Sequence, residues 1–137
     1  MNLFKEKDQI TKTYLALVKG KVFDSGKIEA KLEKNEDKNM VFVSKSPNAK
    51  TAITLFEPFK NFKDTTLLKV KILTGRTHQM RVHMSYIWHP VIGDKKYGDV
   101  DINKKYNTLY EIDNQFLHAY SITFGQIDGV LSYLSGK

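Results

Sequence analysis

The chain has no cysteine. That excludes disulfides, thiolate-bound zinc and a thiol nucleophile, and it agrees with a cytoplasmic location. No apolar run approaches the roughly 18 residues that span a bilayer. The opening stretch, MNLFKEKDQITK, lacks the apolar segment and small-residue cleavage site of a secretory signal. Proline is scarce, with three scattered residues, and there is no low-complexity linker or internal repeat. Acidic residues are in the minority: 15 Asp and Glu face 22 Lys and Arg, a net charge of +7. An excess of that sign suits an anionic partner, nucleic acid first, although a merely lysine-rich protein would carry it too.

What is present fits one domain of 137 residues with a real core. Residues 12–18 alternate Tyr14, Ala16 and Val18 against Thr13, Leu15 and Leu17. Both faces are largely apolar, which predicts a strand buried on both sides. Residues 26–32 place Ile28, Ala30 and Leu32 inward and Lys27, Glu29 and Lys31 outward, the alternation of a half-exposed strand. The polar run EKNEDKN at 33–39 reads as a loop. Further strands are expected at 40–44, 51–56 and 65–73, with a loop around 58–64. A last pair is expected at 116–124 and 130–134, joined by a turn at 125–129.

Between these strands the period changes. Met80, Met84 and Ile87 recur at helical spacing, Thr77 is a candidate N-cap, and Pro90 disfavours helical geometry at His89. One principal helix is therefore expected at 77–88, with a short second one near 103–110. The fold class is α+β, with a mostly antiparallel mixed sheet.

The helix and the residues at its two ends carry two arginines and three histidines within residues 76–89. His78 and His83, five residues apart, do not share a helix face, and no H-E-x-x-H pattern or carboxylate in register accompanies them, so no metal site is expected. No Gly-x-Ser-x-Gly turn is present either. His78, Arg81, Ser85 and Trp88 fall on one face opposite the methionines, and Arg76 and Thr77 stand at the helix start, where free N–H groups favour phosphate. That face suits a polyanion; a solvated helix surface or a small-anion site would show the same residues.

The stretch LTGRTHQMRVHMSYIWHPVIGDKKYG, residues 73–98, resembles the signature of RluA-type pseudouridine synthases: Gly-Arg-Thr/Ser-His-Gln-x-Arg-Val-His, then His-Pro-x-x-Gly-Asp-x-x-Tyr-Gly. KTYLALVKG at 12–20, AKTAITLFE at 49–57 and FLHAYSITF at 116–124 resemble that family's flanking strands, in order. The resemblance implies isomerisation of uridine to pseudouridine in RNA, ribosomal in preference to transfer RNA, with no metal or organic cofactor. It implies that Tyr14 stacks on the flipped uracil and accepts the C5 proton. It also implies that Arg81 pairs with the catalytic aspartate; Arg76, His78 and Gln79 are further candidates for phosphate or RNA contacts. Asp94, Tyr97 and Gly98 would build the turn after the helix, and His83 and His118 would be structural hydrogen-bonders.

One departure stands out. The family's aspartate sits in an Arg-Leu-Asp segment upstream of the tyrosine strand, and none of the nine aspartates here follows Arg-Leu. Residues 1–137 are therefore expected to be the C-terminal portion of a synthase domain, inactive alone and prone to self-association or to pairing with the missing portion. The alternative is a non-catalytic RNA-binding or structural module of the same fold.

Overall fold

A computed structural model describes residues 12–119. Five strands form one sheet in the order β2-β5-β6-β1-β7: β1 Lys12–Lys19, β2 Gly26–Glu29, β5 Ile53–Asn61, β6 Thr65–Ile72 and β7 Leu117–Ala119. A second, two-stranded sheet pairs β3 (Leu32–Asn35) with β4 (Met40–Val43). Every pairing among the described residues is antiparallel. Among the described residues two helices complete the α+β fold, α1 at Gln79–Tyr86 and α2 at Val100–Tyr110.

The expectation for β1 holds on both faces. Residues Leu15, Ala16, Leu17 and Val18 have no exposed surface. Ala16 and Val18 join Leu68, Val70, Met80 and Met84 in the core beneath α1. Leu15 and Leu17 join Leu67, Ile92 and Tyr106 in the core beneath α2. The strand therefore lies inside a helix–sheet–helix sandwich, the arrangement that apolar residues on both faces demand.

Four expectations are corrected. Residues 26–32 do not form one strand: β2 pairs with β5, while β3 leaves that sheet to pair with β4, and the 33–39 run supplies β3 residues before a turn at 36–39. Strand β5 continues through Pro58 to Asn61, with a register shift between Pro58 and Lys60. Proline is tolerated there because β2 covers β5 only at Ile53–Phe56, so Pro58 lies where the outer edge has no described partner and its missing N–H costs no ladder bond. The helix expected to be short, α2, has eleven residues against eight in α1. Its start is fixed by Asp99, whose carboxylate accepts the Ile102 N–H at 3.0 Å, a side-chain N-cap. The expected strand at 130–134 and the turn at 125–129 lie outside the described residues. No described helix is long and apolar enough to cross a membrane.

Candidate RNA-modification site

Helix α1 begins differently from the Thr77-capped expectation. The cap position is His78, in the left-handed region at φ 53° and without a side-chain capping bond. The preceding loop is instead folded around the side chain of Gln79. Its Oε1 accepts from the Thr74 hydroxyl at 2.7 Å and from the Arg76 N–H at 3.2 Å. Its Nε2 donates to the Ile53 carbonyl at 2.9 Å and to Thr54 Oγ1 at 3.0 Å.

With 2% exposure, Gln79 has no surface to offer a ligand, which corrects its expected role as an RNA contact. An amide with all these partners buried is a tether between the helix start and β5. The same network continues inward. Thr54 Oγ1 bonds His83 Nδ1 at 2.8 Å, and His83 Nε2 bonds the Ala30 carbonyl at 2.8 Å. A carbonyl only accepts, so Nε2 carries the hydrogen and Nδ1 accepts from the threonine. Burial pushes the His83 pKa down, only partly offset by the Ala30 bond. His83 is structural, as expected. His118 is exposed on β7 and meets Phe116 edge to face at 4.9 Å.

Arg81 forms the only carboxylate ion pair of the cluster among the described residues. Its Nε and Nη2 donate to the two oxygens of Asp94 at 2.8 and 3.0 Å, a bidentate fork, and its Cζ lies 5.1 Å from the centre of the Tyr97 ring. The Asp94 side chain is fully buried and that of Arg81 is 15% exposed. Asp94 also accepts the N–H groups of Lys96 and Tyr97, both at 3.0 Å, the turn-building role expected of it. Burial pushes the Asp94 carboxyl up, but the Arg81 fork and the two N–H groups together outweigh it and hold it below the usual aspartate range. Gly98 closes this turn: a Cβ there would stand 2.2 Å from the Asp94 carbonyl oxygen.

Tyr97 ties the turn to its surroundings. Its hydroxyl accepts the Val41 N–H from β4 at 3.0 Å and shares a hydrogen bond with His78 Nδ1 at 2.8 Å. Burial and the nearby Arg81 and Lys96 charges lower the His78 pKa. Asp94, Arg81, Tyr97 and His78 thus form one contact cluster, of which the pairing of Arg81 with Asp94 was not foreseen. Helix periodicity cannot reveal it, because the partners are joined only by the reversal of the chain after α1.

The other expected residues lie around this cluster. Arg76 is exposed, with its Nε donating to the Thr51 carbonyl at 2.8 Å. It lines a cleft of about 460 Å³ with Lys34, Lys50, Glu33 and Glu36. Lys34 and Lys50 were not singled out from the sequence, since nothing local marks either as facing Arg76. Tyr14, half-buried, packs against the core beneath α1 and pairs across the sheet with Val70 and Ala119. Among the described residues no hydrogen bond or ring contact joins Tyr14 to Arg81. No cluster of potential metal ligands occurs among the described residues.

A family model described as RNA pseudouridylate synthase matches residues 1–86. The ribosomal large subunit pseudouridine synthase C of Haemophilus influenzae is 43% identical over 84% of this chain and 36% of its own length. Its counterpart D from Borreliella burgdorferi is 39% identical over 87% of this chain and 35% of its own. The chain thus spans little more than a third of the length of these curated relatives. The solved structure of Human RNA Pseudouridylate Synthase Domain Containing 1 superimposes with a TM-score of 0.68 and 29% identity, over 85% of this chain and 50% of that one. Since the family model covers well over half of the sequence, and covers the Tyr14 strand together with the Arg81 helix, the chain belongs to the RNA pseudouridylate synthase family.

Proposed function

We propose that this chain supplies the Tyr14 and Arg81 side of a pseudouridine synthase site that isomerises uridine in ribosomal RNA within the cytoplasm. The observation that carries the reading is the Arg81 fork on Asp94. A guanidinium has five N–H donors, and Asp94 takes two of them. The Nη1 side remains to hold a second carboxylate ionised and oriented, the service the family chemistry asks of this arginine. Arg81 keeps its charge at any working pH, because the Asp94 bond raises its pKa further.

In this reading the target uridine leaves the RNA stack and its uracil lies on Tyr14. An aspartate in an Arg-Leu-Asp segment starts cleavage of the glycosidic bond, the uracil turns and rejoins ribose through C5, and the C5 proton, relayed by the Tyr14 oxygen, ends on the ring nitrogen N1 that cleavage freed. The aspartate segment belongs to a portion of the catalytic domain upstream of Tyr14, so residues 1–137 alone are inactive. Arg76 and His78 contact RNA beside the pocket, and Lys34 and Lys50 in the Arg76 cleft extend the phosphate contacts. The +7 charge supports a polyanionic substrate.

Mapping pseudouridines by carbodiimide reactivity in RNA from cells with and without the gene tests this. Loss of a position in large-subunit ribosomal RNA is expected. Loss confined to transfer RNA would change the substrate, and an unchanged map in both would favour the non-catalytic RNA-binding module.

A further inference from the structure

The end of α1 carries a residue that its geometry disfavours. The Trp88 N–H donates to the Ser85 carbonyl at 3.1 Å and the His89 N–H to the Met84 carbonyl at 2.9 Å. With Ile87 as C-cap, these two bonds form a Schellman ending, and the residue after the cap takes the left-handed conformation. Glycine is the usual occupant, because a side chain there crowds the backbone. Here it is tryptophan, at φ 69°. No packing compensates: Trp88 is 86% exposed, the most exposed of the large apolar residues among those described. The expectation that Trp88 sits on a helix face with His78 and Arg81 is corrected with it, since the helix stops at Tyr86 and Trp88 is on the reversal.

The stem beneath the indole is firm. His89 Nδ1 bonds the Lys19 carbonyl at 2.7 Å, the Lys19 N–H donates to the Pro90 carbonyl at 2.9 Å, and the Ile92 N–H donates to the Leu17 carbonyl at 2.8 Å. These bonds join the Trp88 reversal to the end of β1 and the turn after it. The Gly20 N–H donates to the Asp64 carbonyl at 2.8 Å, which brings in the β5–β6 turn. Lys21 and Lys63 project from those two turns. Both are exposed, and neither forms an ion pair with a carboxylate among the described residues. A bare aromatic on a hydrogen-bonded stem, joined through the end of β1 to two turns that each carry an exposed lysine, supplies the two parts by which proteins grip single-stranded nucleic acid, one stacking on a base and the other following the phosphates.

We propose that Trp88 is a base-stacking platform for single-stranded RNA, with Lys21 and Lys63 holding the adjoining backbone, and that it receives a nucleotide other than the one isomerised. Tyr14 lies at the opposite end of β1, five residues from Lys19, roughly 17 Å at about 3.3 Å per residue. Trp88 is tied to the Lys19 end through its neighbour His89, which assigns it a different base from the one on Tyr14. The inference rests on the proposed action on RNA, and it gives a use to a tryptophan that stands where glycine would be more stable.

Trp88 is the only tryptophan, so its fluorescence reports the contact directly. Single-stranded oligouridylate should quench it, and inorganic polyphosphate of matched charge should not. Trp88→Gly removes the ring and relieves the backbone, so misfolding cannot account for its phenotype. Its melting temperature should rise by about 4 °C while its affinity for labelled oligouridylate falls roughly 5- to 150-fold. Trp88→Phe should retain most of the affinity. Unchanged RNA affinity in Trp88→Gly would overturn the platform while leaving RNA binding in place. Concentration-dependent dimers of the wild-type chain that Trp88→Gly dissolves, with RNA binding unaltered, would assign the indole to self-contact instead. Failure of the wild-type chain to bind RNA at low salt would overturn the proposed function, and the platform with it.

Discussion

Replacing Arg81 with alanine removes both arms of the fork from a carboxylate that has no exposed surface. Asp94 would retain only the Lys96 and Tyr97 N–H groups. Removing one partner of a buried pair costs about 3–5 kcal/mol, and the partial exposure of Arg81 with the two surviving N–H bonds places this case near about 3 kcal/mol. For a domain of this size that lowers the melting temperature by roughly 10 °C. The pH dependence carries the sign. In the wild type the Asp94 pKa is lowered, so the pair's contribution is complete above the usual aspartate value and is lost as pH falls through the depressed one. In Arg81→Ala only the two N–H groups oppose burial, so that pKa lies above its wild-type position, and the gap between the two proteins should be widest near neutrality and should narrow below about pH 4. Urea denaturation of both proteins across that range measures it. Adding Asp94→Asn to Arg81→Ala should cost much less than the sum of the two single changes. A gap under about 1 kcal/mol at pH 7, or one equally large in acid, would refute a buried ionised pair. Arg81→Lys, which keeps a charge but not the fork, should recover only part of the loss.

Other outcomes follow from the same contacts. Tyr97→Phe leaves the buried Val41 N–H without its acceptor and should cost about 2 kcal/mol, with faster amide exchange at Val41 as its signature. RNA affinity should fall steeply between low and physiological salt, because displaced counterions return; a flat salt titration would argue against phosphate contacts. In a complete enzyme Tyr14→Phe should keep RNA affinity and lose turnover, and the reverse pattern would remove Tyr14 from the chemistry.

The sequence revealed most where one residue pattern had one physical solution. Apolar residues on both faces of residues 14–18 required cover on both sides, and β1 has it. The alternation at 26–32 was real but blind to partner choice: Ile28 and Leu32 both face inward, yet they belong to different sheets. Pro58 suggested a loop because proline breaks ladders, and only the short reach of β2 along β5 shows why it does not break this one. The Asp99 cap was readable in principle, but the polar residues after it weakened the helical pattern. At the site, Arg81 and Tyr14 came from the motif, whereas the Asp94 fork, the burial of Gln79 and the left-handed Trp88 depend on chain reversals that periodicity does not encode. Trp88 was the hardest to foresee, because helix ends of this type are recognised by glycine.

The most direct measurement is tritium release from RNA labelled at C5 of uridine, with the 137-residue chain alone and with the chain joined to a segment carrying the family's Arg-Leu-Asp aspartate. Removing one member of a catalytic set costs orders of magnitude, since the others act only with it. The chain alone should therefore be silent, the joined protein should release tritium, and Arg81→Lys or Tyr14→Phe in the joined protein should abolish most of that release. Turnover by the isolated chain, or full turnover in the joined protein without Tyr14 and Arg81, would contradict the assignment.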